Sequence, residues 1–231
     1  MNDDLKEIGK GGIVEEGVFV RFPELVPAWG NHFWREDRAH KKMLLIGESN
    51  YFDDADIPYS DFLQPQEWYR NPDAKLIPEY RKTDVGNWKT YKTFTRVYDC
   101  MNRILDENHI EHEEDALCES AFYNYFLRPA HNTGRKKQFV PQPVDLDVAG
   151  EALTGVIRVL SPDLIVFLSK LAYNSFLKYC SEKNIVWEGI VIEQVNHPAS
   201  WRFHNAEKSA CYGKVKLEGL LRKYWINLPD E

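Results

Sequence analysis

What this 231-residue chain lacks narrows it first. Its four cysteines, Cys100, Cys118, Cys180 and Cys211, lie far apart, with no Cys-x-x-Cys pair. That argues against a disulfide framework and against a zinc or iron–sulfur site written into the spacing; free thiols are expected and no metal or cofactor is implied. No apolar run approaches the roughly 20 residues that a membrane span requires. The opening Met1-Asn2-Asp3-Asp4-Leu5-Lys6 lacks the basic-then-apolar layout of a secretory signal, so a cytoplasmic protein is expected. A Gly/Ser-rich linker, an internal repeat and a low-complexity tract are all missing as well. So is any excess of positive charge: the net charge is −7. The overall field therefore repels phosphates, and contact with nucleic acid has to come from local basic patches.

What is present fits one α/β domain. The chain is 43% hydrophobic and 28% charged, with 12 Phe and 12 Tyr, enough to bury a sizeable core. Residues 1–40 read as an arm that packs aromatics on the domain, and residues 41–231 as the domain itself. Continuous apolar or aromatic runs predict strands at Lys42–Gly47, Ala121–Phe126, Leu164–Leu168 and Ile190–Val195. Apolar residues at helical spacing predict helices over Thr90–Glu107, 146–160, Leu171–Lys178 and Asn205–Tyr224, with a short one near Ser60–Tyr69. Residues 52–90, rich in Pro, Asp, Tyr and Trp, read as a long crossover. The alternation predicts a three-layer α/β/α fold around a central, mostly parallel, four-stranded sheet.

Two segments end their strands abruptly in polar residues: Met43-Leu44-Leu45-Ile46-Gly47-Glu48-Ser49-Asn50-Tyr51-Phe52, and Val195-Asn196-His197-Pro198-Ala199-Ser200-Trp201. In an open α/β sheet the carboxyl ends of the strands are where a crevice opens. Residues released there are the candidate site residues. A basic, turn-rich loop, Leu127-Arg128-Pro129 through Arg135-Lys136-Lys137, follows the second strand.

In order and spacing these motifs resemble the uracil-DNA glycosylase superfamily across roughly residues 40–225. The resemblance rests on the Gly47–Tyr51 turn, on Asn124 ahead of the Pro-containing basic loop, on the strand Leu164–Leu168 with its preceding helix, and on His197-Pro198-Ala199-Ser200. It implies hydrolysis of an N-glycosidic bond, with DNA or another nucleobase-containing ligand as partner, no cofactor, and a monomer. Glu48 or Ser49 would position water, and His197 would donate to the pyrimidine. Gly47, Tyr51, Phe52 and Asn124 would form the base pocket. Arg128, Arg135, Lys136, Ser200, Trp201 and Arg202 would meet the nucleic acid. The chain departs from the family at Ser49, where Asp or Asn is usual, and lacks the cysteines of the iron–sulfur subgroup.

Each residue also has a plainer reading. Glu48 can be a solvated strand-end carboxylate, Asn124 a turn cap, Tyr51 and Phe52 core, and Arg135-Lys136-Lys137 a solvated loop. Two other functions remain open: a base-binding module of the same fold without catalysis, and an SGNH-type esterase with Ser49 as nucleophile. The esterase needs a histidine within reach of the Ser49 hydroxyl, His197 or His204.

Overall fold

The computed structural model describes residues 3–10, 17–52, 65–70, 92–113, 116–131, 139–203 and 213–226. Along them run α1 (Asp3–Lys6), α2 (Val18–Arg21), β1 (Ala28–Trp29), β2 (Met43–Phe52), α3 (Pro65–Arg70) and α4 (Lys92–Glu107). Then come β3 (Ala121–His131), α5 (Pro143–Leu160), β4 (Leu164–Phe167), α6 (Lys170–Glu182), β5 (Val191–Gln194) and α7 (Gly213–Leu220), the last continued by a π turn at Leu221–Trp225.

The sheet order is β1-β3-β2-β4-β5. The four expected strands pair in parallel, β3 with β2, β2 with β4, and β4 with β5. The expectation of four strands is nevertheless corrected to five in a mixed sheet, because Ala28–Trp29 of the arm pairs antiparallel with Ala121–Phe122. Two residues carry no readable alternation, which is why this strand was invisible in the sequence. β2 and β3 also run several residues past their apolar stretches. Between the pairs Ser49↔Phe126 and Tyr51↔Ala130, two steps on β2 face four on β3. Pro129, which has no N–H to give a ladder, falls in that bulge.

Helices cover both faces. On one, α5 and α6 bury Leu153, Val156, Ile157 and Phe176 against Ile46, Tyr123 and Phe167. The arm adds Phe19, Phe22 and Phe33 to the same cluster. On the other, α4 buries Phe94, Val97, Met101 and Leu105 with Leu217 and Trp225 against Leu45, Phe122 and Val166. Each such large apolar side chain contributes about 1.5–3 kcal/mol on leaving water. Successive residues of β2 serve opposite clusters, Met43 and Leu45 one and Leu44 and Ile46 the other. That explains its unbroken apolar run: a central parallel strand has no solvent face. The terminal helix is described from Gly213 onward; residues 204–212 lie outside the described residues, as do the crossover residues 53–64 and 71–91. Among the described residues, no helix is long and apolar enough to cross a membrane.

Two buried carboxylates stitch the segments together. Glu119, just ahead of β3, receives His32 Nδ1 at 2.5 Å and His40 Nε2 at 3.0 Å. Burial alone would raise its pKa, but these bonds and the histidine charges outweigh that and hold it below the usual glutamate value. A depressed folded pKa gives stabilisation that is complete above the unfolded value and lost as pH falls through the folded one. Glu119→Gln is therefore expected to flatten the loss of stability as pH falls below the ordinary glutamate value of 4.5, measured by chemical denaturation. An acid limb as steep as that of the wild type would show that Glu119 does not supply it.

The second carboxylate is Asp145, with no exposed surface among its side-chain atoms. Arg128 grips it with Nε at 2.8 Å and Nη2 at 2.6 Å, the Tyr69 hydroxyl donates at 3.0 Å, and the backbone N–H of Gln142 closes the start of α5 at 2.8 Å. Arg128→Ala would strand this carboxylate in the core and is expected to cost about 3–5 kcal/mol in denaturant unfolding. A cost below about 1 kcal/mol, as for an exposed pair, would overturn the assignment.

Candidate functional site

The exits of β4 and β5 meet, along one rim, the part of β2 that runs on past Ile46. The N–H of Leu168, just past β4, donates to Ile46 O at 2.7 Å, and the N–H of Val195, just past β5, donates to Phe167 O at 2.9 Å. The part of β2 past Ile46 therefore lies beside chain leaving β4, and that beside chain leaving β5. α4, which leads into β3, covers one face, while α6, which follows β4, covers the other. The gap between β2 and β4 is thus the point at which the winding reverses, where open α/β sheets hold their ligands.

Glu48 projects from β2 at this gap, two residues past Ile46, where the pairing with β4 ends. The Ser169 hydroxyl donates to its Oε2 at 2.5 Å, the short distance typical of a hydroxyl on a carboxylate. Ser169 is the N-cap of α6 and accepts from Ala172 N–H at 3.3 Å. His197, two residues beyond Val195, feels the Glu48 charge. Its outer surface is exposed, yet the protein packed around the ring desolvates it and pushes its pKa below the ordinary histidine value. The Arg96 charge acts in the same direction and Glu48 opposes it. Arg96 reaches across from α4 and donates to the Pro198 carbonyl. The N–H of Ala199 donates to His197 Nδ1 at 3.2 Å, so in the neutral ring the proton sits on Nε2. His197 is thereby a hydrogen-bond donor through Nε2 at neutral pH.

Asn124 stands on β3 opposite Gly47 and donates from Nδ2 to Asn50 Oδ1 at 2.9 Å. A Cβ on Gly47 would lie 2.2 Å from Asn124 Oδ1 and 2.8 Å from Phe122 Cζ. The glycine is needed for this close approach: the Asn124 amide occupies the space a side chain would fill.

Glu48 and His197 are close enough at this rim for the Glu48 charge to act on the ring, while Asn124 stands on the other face of the sheet, with Gly47 and Phe122. Ser49 does not join Glu48 and His197. It is 7% exposed, its hydroxyl has no hydrogen-bond partner, and on a strand it points away from the face that carries Glu48. The expectation that Ser49 positions water or acts as a nucleophile is corrected accordingly; His204 lies outside the described residues. Arg128 is corrected too. It is 5% exposed and committed to Asp145, with its guanidinium 4.9 Å from the Phe139 ring centroid, so it is an internal ion pair rather than a phosphate contact. Trp201 is 63% exposed on the 3₁₀ turn Trp201–Phe203, with the Arg202 guanidinium 5.7 Å from its ring centroid. The N–H of Ser200 closes the turn on His197 O at 2.9 Å. Arg135 and Lys136 and the side chains of Tyr51 and Phe52 lie outside the described residues.

Sequence reasoning passed over Ser169 and Arg96 as site residues. Ser169 carried a signal, a serine between an apolar strand and a helical period, which is an N-cap pattern. Arg96 carried none, since only the packing of α4 brings it to Pro198.

A hollow of about 640 Å³ lies at the opposite rim, lined by residues that include His32, His40, His109, His112, Glu113 and Glu119. Its polar groups are largely engaged with one another, His32 bridging Glu113 at 3.1 Å and Glu119 at 2.5 Å. Among the described residues no group of three or more His, Cys, Asp or Glu is placed to hold a metal ion. Neither the models of known protein families nor the curated proteins compared with this chain match it.

Gly47→Ala is expected to push the Asn124 amide off Asn50 while moving only the ends of flexible side chains. The stability loss should stay near about 1–3 kcal/mol, as for other overpacked sites. Unchanged amide resonances of Asn124 in the variant would contradict the account.

Proposed function

We propose that the rim where β2 runs past the ends of β4 and β5 binds an extruded nucleobase and hydrolyses its N-glycosidic bond, as a uracil-DNA glycosylase-like enzyme acting on DNA. The observation that supports the reading is the Glu48 carboxylate beside a neutral His197 whose Nε2–H is available to donate, with the Asn124 amide on the neighbouring strand β3.

Cleavage of this bond builds positive charge on the sugar and negative charge on the departing base. Glu48 supplies a fixed negative charge beside the sugar and accepts a proton from the attacking water. The water oxygen bonds to the anomeric carbon as the carbon–nitrogen bond breaks, and its electron pair leaves with the base. His197 donates from Nε2 to the base carbonyl that takes up this charge. Staying neutral suits the task, because a neutral donor stabilises the anion without forming a tight ion pair with Glu48. Asn124 offers an amide to the base edge, and exposed Trp201 with Arg202 offers a stacking and charged surface to the strand.

A second reading is favoured by the net charge of −7 and by the withdrawal of Arg128 into the core, both of which weaken phosphate attraction. It is a nucleobase-binding module of the same fold without chemistry.

An assay of base release from uracil-containing single- and double-stranded DNA separates the two. The first reading expects turnover by the wild type, falling about 10²–10⁴-fold in Glu48→Gln and about 10²–10³-fold in His197→Ala. No release by the wild type, together with thermal stabilisation by a free nucleobase, establishes the binding module instead.

A further inference from the structure

We propose that Ser169 is a positioning residue of this site, holding the Glu48 carboxylate against the exit of β4 so that it faces His197. The proposal rests on the glycosidic-bond reading only for its consequence in turnover; the positioning itself stands on geometry. Ser169 is buried, and its Oγ is constrained from two sides. It accepts from Ala172 N–H at 3.3 Å, which turns its own proton outward to Glu48 Oε2 at 2.5 Å. The backbone around it is equally fixed: Leu168 N–H is bonded to Ile46 O at 2.7 Å and Tyr173 N–H to Ser169 O at 3.1 Å. A hydroxyl whose donor direction is set by helix capping and whose main chain is locked into the sheet is a rigid anchor.

The test reads Glu48 through His197, whose ring carries the field of that carboxylate and of Arg96. In NMR titrations of the full chain, the His197 resonance is identified among the seven histidines by its loss in His197→Gln. Glu48→Gln is expected to lower the His197 midpoint by removing the opposing charge. Ser169→Gly, which keeps a tolerated N-cap residue and so preserves the fold, is expected to lower it by part of that amount as the carboxylate loses the Ser169 bond and shifts relative to His197. Ser169→Thr, which restores a donor, returns the midpoint to the wild-type value. If the site is a glycosylase, Ser169→Gly also loses about 10–100-fold in kcat with KM little changed, and Ser169→Thr recovers it. A fall in midpoint without base release by the wild type would keep the anchor and discard the glycosylase reading. A midpoint that moves in Glu48→Gln but not in Ser169→Gly would overturn the anchor. A midpoint that moves in neither would remove the Glu48–His197 juxtaposition, and the anchor with it.

Discussion

The parallel pairing of β2 on both its edges is the constraint on which everything else depends. Met43–Ile46 is bonded to β3 on one side and to β4 on the other, and every side chain from Met43 to Gly47 is buried. A strand so enclosed cannot slip by one residue without turning its two apolar sets into the wrong layers. Its exit is therefore fixed in space, and Glu48, one residue beyond Gly47, inherits that precision. The links from Leu168 to Ile46 and from Val195 to Phe167 carry the same alignment across the two neighbouring exits. His197 is brought to Glu48 by this ladder rather than by any local preference of its own loop.

Charge is handled differently inside and at the rim. Asp145 and Glu119 are buried with their hydrogen-bond partners already in place, so they serve architecture: one anchors α5 to β3 and α3, the other ties the arm and the start of β2 to the turn before β3. At the rim the balance is looser by construction. Desolvation and Arg96 keep His197 neutral while Glu48 pulls the other way, leaving a ring that donates one hydrogen bond without carrying a charge. Such opposed influences on neighbouring titratable groups are characteristic of working sites more than of structural ion pairs.

The acidic character of the chain bears on how it would meet nucleic acid. With a net charge of −7 and Arg128 turned inward, attraction by the whole molecule is weak. What the rim offers instead is aromatic and local: Trp201 and Arg202 project beside His197 on one tight turn. Stacking on an exposed ring asks for an unpaired base, which suits a ligand already single-stranded or extruded.

Periodicity and punctuation alone determined much of this protein. The apolar run at Met43–Ile46 marked a strand buried on both faces, the spacing from Phe94 to Leu105 a helix with one covered side, and the polar ends at Glu48 and His197 the place where a crevice opens. These were readable because each depends on neighbours in the chain. Tertiary structure alone decided which groups face one another. A two-residue strand at Ala28–Trp29 exists only because β3 offers it an edge. Arg128 looked like a surface cation until α5 presented Asp145 to it. Ser49 and Glu48, adjacent in the chain, were separated by the alternation of the strand, and Ser169 met Glu48 across 121 residues. Contacts of that range depend on register and layer packing, which emerge only when the whole sheet closes.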